Sequence, residues 1–278
     1  MEMRKYLCAV ALIISVAGCQ SSTKAGGSAG PSSAGASTSS AGASPSVPLL
    51  PPAGVVTRVA EISYSGGFAV RTALAAPAVV VYSDGTVVFN AQKRLTLTPG
   101  ALDYLVQGVQ QDLKGQPSAK VLLPKSGHAI PDGATTTVGV YQPGGAYQTV
   151  EALGLGASNG SQYPAPVADA FAKLQALTSD ATTPYTTTKA RYTMQCPPSG
   201  NGPVQPWPAG LPQPGAGAGT ANCTEVHSAD GAAATAVRAA CVGTNTPSGQ
   251  PQPAATVYRS DKGPRICRWR YALPDETS

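Results

Sequence analysis

Hydrophobic and polar positions change rhythm several times along this chain. Leu7 to Val16 is an apolar run interrupted by one serine, Ser15, and Gln20 to about Pro52 are almost all small or polar residues. Beyond them, stretches of period two alternate with stretches of period 3.6. Gly54 to Ser65 reads as an entering strand, with Val56, Ile62 and Tyr64 available for burial and Gly66-Gly67 ending it. Ala78 to Tyr82 and Thr86 to Phe89 flank Ser83-Asp84-Gly85. An Asp-Gly pair between β-branched runs is a strong hairpin signal, because glycine accepts the positive φ of the turn. Thr98-Pro99 supplies an N-cap and a first-turn proline. Leu102, Leu105, Val106, Val109 and Leu113 then fall at i, i+3, i+4, i+7 and i+11, one stripe of an amphipathic helix ending near Gly115.

The alternation continues. Thr135 to Tyr141 and Ala146 to Leu153 read as a second hairpin closed by Pro143-Gly144-Gly145. A second helix follows Pro164 and Pro166, with Val167, Ala170, Phe171, Leu174 and Leu177 on one face. Lys189 to Gln195 predicts a strand, Pro197 to Thr220 a Pro/Gly/Ala-rich excursion, and Cys223 to Val226 a short strand. Ala232 to Ala240 predicts a helix, and Arg265 to Leu273 a last strand. The order implies an α+β fold: antiparallel sheet or sheets with about three helices packed on one face, and a two-disulfide C-terminal part. The expected boundaries are 1–18, a signal peptide; 19–52, a disordered tether; 53–183, an N-terminal α+β part; and 184–278, a C-terminal disulfide-containing α+β part.

The N-terminus explains why the first rhythm is so short. Arg4 and Lys5 precede an apolar core of ten residues, Leu7 to Val16. A helix spanning a bilayer needs roughly 20. A charged start, a short core and small residues at a cleavage point describe an export signal. Val16-Ala17-Gly18-Cys19 resembles the lipobox of bacterial lipoproteins, in which the cysteine is acylated and becomes the new N-terminus. That resemblance implies a lipid, of the palmitate type, on Cys19, and anchoring to the outer face of the cytoplasmic membrane. Each acyl chain contributes on the order of 0.8 kcal/mol per buried CH₂, and stable anchoring takes more than one chain. Gln20 to Pro52 carry one charge, Lys24, and too little apolar surface to offset their ordering entropy. As a coil they would reach roughly 30 Å from the lipid.

Charge and cysteines narrow the picture further. Charged residues make up 12% of the chain, against about 25% in an ordinary soluble domain. Removing residues 1–18 takes away Arg4, Lys5 and Glu2 and leaves a net charge of about +4. Apart from Lys262, Arg265, Arg268 and Arg270 the cations are scattered, so the dense basic face of a nucleic-acid binder is missing. Cys8 leaves with the signal and Cys19 is taken by lipid. Cys196, Cys223, Cys241 and Cys267 remain, an even number in an exported domain, which reads as two disulfides. Their spacings of 27, 18 and 26 residues match no zinc pattern. A six-residue strand and an eleven-residue helix have similar lengths, about 18 and 16 Å. That match favours Cys223–Cys241, leaving Cys196–Cys267 between neighbouring strands.

Pro77-Ala78-Val79-Val80-Val81-Tyr82-Ser83-Asp84-Gly85-Thr86-Val87-Val88 resembles a hairpin pattern of uncharacterised exported lipoproteins of actinobacteria. The helix from Thr98, Asp132-Gly133-Ala134-Thr135-Thr136-Thr137-Val138, Trp207-Pro208 and Leu273-Pro274-Asp275-Glu276 are similar to further pieces of that pattern. The resemblance implies fold and cell-envelope location. It implies no activity.

Candidate chemistry is sparse. His128 and His227 are the only histidines, and neither stands in a GxSxG, HExxH, SxxK or Walker context. Asp84 is accounted for by its turn, and Gly66-Gly67 and Gly144-Gly145 by their loops. Trp207, between Pro206 and Pro208, offers an aromatic anchor for a peptide or glycan, set against simple packing on the sheet. Arg268 and Arg270 offer a contact for anionic lipid or wall polymer, set against the charges that edge strands carry to prevent aggregation. The expectation is a non-enzymatic envelope binding or accessory protein without cofactor, catalytic set or metal. Its partners would be the membrane, through the lipid, and an unknown envelope protein or cell-wall polymer, with no nucleic acid. An extracytoplasmic small-ligand carrier or sensor, using a cleft between the two halves, is the alternative, and a hydrolase comes third.

Overall fold

The computed structural model describes residues 49–52, 54–67, 74–127, 133–197, 203–213, 224–244 and 255–276. Cys19, the lipobox residues Val16, Ala17 and Gly18, Cys223 and His128 lie outside the described residues. Pro45–Ser278 holds together as one unit.

Seven strands form the first sheet: β1 (Arg58–Ser65), β2 (Val79–Tyr82), β3 (Thr86–Phe89), β4 (Lys93–Thr96), β5 (Thr135–Tyr141), β6 (Tyr147–Leu153) and β7 (Thr183–Pro184). Their spatial order is β6-β5-β1-β2-β3-β4-β7, and every pairing is antiparallel. The Asp-Gly hairpin forms as expected. Gly85 has φ +83°, and a Cβ there would stand 2.7 Å from the Leu97 carbonyl oxygen. Asp84 accepts from the Thr86 amide at 2.9 Å and the Thr86 hydroxyl at 3.1 Å, a local closure of the turn.

Two helices cover one face of this sheet, α1 (Pro99–Leu113) and α2 (Ala165–Ala176). Thr98 caps α1 by accepting from the Ala101 amide. The stripe Leu102, Leu105, Val106, Val109 and Leu113 is buried, and so are Val167, Ala170, Phe171 and Leu174 of α2. They meet Val79, Val81, Val138, Val140 and Val150 from the sheet in one core. Each such aliphatic side chain contributes about 1.5–3 kcal/mol by leaving water. The chain joins this core earlier than expected: Leu50 packs on it, and the Leu49 carbonyl accepts from Gln110 Nε2 at 3.1 Å.

The second sheet is built from β8 (Ala190–Gln195), β9 (Val204–Pro206), β10 (Glu225–Ala229), β11 (Val242–Gly243), β12 (Val257–Ser260) and β13 (Gly263–Tyr271). The order is β10-β8-β13-β12-β9, with β11 beside β13. Two short pairings, β9 with β12 and β11 with β13, are parallel. Helix α3 (Gly231–Ala240) packs Ala234 and Val237 on Tyr192, Met194 and Cys267.

The disulfide assignment needs correction. One disulfide is found among the described residues rather than two, between Cys241 and Cys267, with Cα atoms 4.8 Å apart. That bond excludes both Cys223–Cys241 and Cys196–Cys267. The reason lies just past α3: β11 registers in parallel on β13, Val242 beside Arg268, which sets Cys241 level with Cys267. Matching a strand length to a helix length could not anticipate a two-residue strand added after the helix. Cys196 is also disulfide-bonded.

Candidate functional site

The outer face of the first sheet begins as an apolar patch on β2 and β3. Val80, Tyr82 and Val88 point away from the helices and would be bare if the sheet stood alone. Tyr185, Tyr271 and Leu273 cover them, together with the buried Ala91, and make a third, smaller core at the seam between the sheets.

Polar side chains rivet that seam. Tyr82 donates its phenol to Asp275 Oδ1 at 2.8 Å, and Arg58 reaches Asp275 Oδ2 through Nε at 3.0 Å and Nη2 at 2.8 Å. Arg58 also pairs with Glu61. One residue on, Glu276 takes two donors from Arg270, at 2.7 and 2.6 Å, and one from Arg191 at 3.1 Å. The Leu273 amide adds another at 2.8 Å. Arg270 Nε donates to the Leu74 carbonyl at 2.7 Å, so this one guanidinium binds both halves of the unit. Tyr185 donates to the Ala272 carbonyl at 2.7 Å.

The electrostatics follow from burial and these partners. Burial lifts the Tyr82 phenol far above its ordinary value, and the Asp275 charge lifts it further. Tyr185 is pushed up to about 12 by burial and the nearby Glu276. Burial opposes the charge of Arg58, but Glu61 and Asp275 outweigh it and hold the guanidinium protonated above its usual range. Burial would also raise Glu276. The hydrogen bonds and charge of Arg270 reverse that and bring the carboxyl below its ordinary value.

Beside this seam lies an open cavity of about 510 Å³. Gln92, Lys93, Thr183 and Thr186 line it, with the rings of Tyr185 and Tyr271 as walls. Strand β7 has two residues, so the sheet edge stops there and the chain leaves for the second sheet, opening a notch. The Tyr185 amide still bonds the Gln92 carbonyl at 2.8 Å and fixes the near wall. Tyr271 stands edge-on to Tyr185 (centroids 6.2 Å) and to Trp269 (5.0 Å).

Of the residues singled out in the sequence, Arg270 sits in the seam and the others lie elsewhere. Arg270 is 3% exposed and wholly engaged inside the protein, so it offers nothing to an external anion. Strand β13 is interior, between β8 and β12, so the edge-strand explanation of its charges fails too. Arg268 is half-buried opposite Thr193. Trp207 packs on the second core, donates to the Leu211 carbonyl at 3.0 Å and meets Tyr258 edge-on, an arrangement of packing. His227 stacks on Tyr192 at 5.1 Å and bonds Glu225 at 3.0 Å. Gly66, Gly67, Gly144 and Gly145 all take positive φ in turns. Lys93, Tyr185 and Tyr271 went unread because no local pattern marks them.

Among the described residues, no group of three His, Cys, Asp or Glu side chains could hold a metal ion. No helix among them is long and apolar enough to cross a membrane. The chain matches no protein-family model, no curated protein and no solved structure.

Proposed function

We propose that this chain is an exported lipoprotein of the cell envelope, anchored through Cys19, whose folded unit binds a partner rather than transforming one. The observation that supports binding is the cavity at the seam. Its volume, about 510 Å³, lies in the range of small-molecule sites, roughly 300–1,000 Å³. Amide, hydroxyl and ammonium groups converge there between aromatic walls. The anchor rests on the order of signals in residues 1–19, and kinship with the actinobacterial lipoproteins rests on the hairpin motif. A carrier or sensor of a small ligand is the second reading, favoured by the same cavity.

Two measurements test the proposal. Metabolic labelling with palmitate should mark the wild-type chain and leave Cys19→Ala unmarked; label on both would remove the anchor. Crosslinking in living cells should recover an envelope protein or wall polymer from the wild type and lose it in Cys19→Ala. Recovery of nothing from either would remove the accessory role and leave the small-ligand reading.

A further inference from the structure

We propose that the seam cavity is a saccharide site selective for acidic sugars, a class that uronate-bearing wall polymers and free sugar acids share. The inference rests on the binding function proposed above and specifies its ligand.

The lining carries the argument. Thr186 and Gln92 bring a hydroxyl and a carboxamide that both donate and accept, and the Thr183 hydroxyl, which donates to the Arg94 carbonyl, keeps its acceptor side; such groups match a ring of hydroxyls. Tyr185 and Tyr271 bring apolar walls suited to the C–H face of a pyranose. The Lys93 side chain is exposed and its ammonium makes no hydrogen bond or ion pair among the described residues, so it is free to meet a carboxylate. Arg94, next along the strand, is close enough for its charge to reach Tyr185. The two acids across the seam whose charge reaches Tyr185 are both paired with arginine, Glu276 with Arg270 and Arg191 and Asp275 with Arg58. The cavity therefore has a cationic rim without an opposing carboxylate in its lining.

The walls are also fixed in advance. The Tyr185 hydroxyl is held by the Ala272 carbonyl, its amide by Gln92, and Tyr271 is wedged between two rings. A ligand entering such a site orders few side chains, and that lowers the cost of binding. Lys93 alone among the polar groups carries a full charge, so it sets the preference between an acidic sugar and its neutral counterpart.

The test uses the full chain and isothermal titration with trigalacturonate, galacturonic acid and the neutral galactose trimer. Trigalacturonate should bind, the neutral trimer about tenfold more weakly or worse, in line with one charge-assisted contact. Lys93→Gln should reduce trigalacturonate affinity by about the same factor and abolish the discrimination. Thr186→Val, at a second exposed position, should weaken both saccharides alike. Equal wild-type affinity for the monomer and trimer would point to a free sugar acid, and tighter trimer binding to a polymer. Either result supports the site. Equal affinity for acidic and neutral trimers, or an unchanged Lys93→Gln, would overturn the acidic preference. If neither saccharide binds while the chain still crosslinks an envelope partner, the sugar site fails and the proposed function stands. If crosslinking fails too, the sugar site and the accessory role both fall, and a small ligand of other chemistry is what remains of the proposed function.

Discussion

Tyr82 and Asp275, 193 residues apart in sequence, share a 2.8 Å hydrogen bond that ties the first sheet to the strand-end of the second. Asp275 also pairs with Arg58, so one carboxylate serves two donors on neighbouring strands. Asp275→Ala leaves a buried phenol without its acceptor and a half-buried guanidinium with Glu61 as its one remaining acid. The expected loss is about 2–3 kcal/mol, against about 1 kcal/mol for Tyr82→Phe, which removes a donor and leaves the charge pair intact. Urea denaturation of both variants and the double variant checks this; additive losses would deny the coupling.

Acid should loosen the seam through Glu276. Its folded pKa lies below the unfolded value, near 4.3 for a glutamate. The stabilisation is therefore complete above that value and disappears as pH falls through the lower folded one. Urea midpoints between pH 2 and 6 should fall less steeply in Glu276→Gln than in the wild type. Identical slopes would mean that the Arg270–Glu276 pair contributes nothing.

Alkali acts through Tyr185 with the opposite sign. Its folded pKa, pushed up to about 12, exceeds the unfolded value. Stability is fully present below the unfolded value of about 10 and is lost as pH rises toward 12. Tyr185→Phe should flatten this limb in a denaturation series from pH 9 to 12, at a neutral-pH cost of about 1 kcal/mol for the lost bond to Ala272.

Register makes the disulfide map testable. On β10 and β8, Glu225 pairs with Met194 and Val226 with Thr193. If that register ran on for two residues, it would bring position 223 opposite position 196. A non-reducing peptide map should show Cys196–Cys223 beside Cys241–Cys267, and any other pairing of Cys196 would refute the extrapolation. Cys241→Ser with Cys267→Ser should cost about 3–4 kcal/mol, as expected for a closed loop of this length.

Two glycines separate relievable from fixed crowding. A Cβ on Gly139 would stand 2.7 Å from the Tyr147 ring, while one on Gly85 would meet the Leu97 carbonyl oxygen at 2.7 Å with φ already +83°. Gly139→Ala should cost about 1–3 kcal/mol and recover most of it with Tyr147→Ala. Gly85→Ala should lose stability that no side-chain truncation restores. Thermal melts of the three variants distinguish the cases.

How much of this was legible followed from distance along the chain. The Asp84-Gly85 hairpin, α1 and α2 could be read because turn chemistry, capping and periodicity are local. Strand β4 escaped because its turn, Asn90-Ala91, takes positive φ at both positions without a glycine. The usual signal for such a turn is Asn-Gly. Here Ala91 is fully buried in the seam, and its methyl compensates an unfavourable conformation. The cavity escaped for a related reason: its walls come from residues 92–93, 182–186 and 271, and nothing local joins them. Arg270 misled because a charge on an alternating strand looks the same whether it faces solvent or a partner six residues on.

A chain made from its N-terminus emits Arg58 and Tyr82 long before their shared acceptor. The first sheet and its two helices can assemble from neighbouring segments, and such local pairings form quickly. Until Tyr271 and Leu273 arrive, Val80, Tyr82 and Val88 remain an uncovered, adhesive surface. Late-emerging residues thus decide whether an early-formed sheet is sealed or left sticky, and a molecule interrupted before them would present that surface to any chaperone or protease nearby.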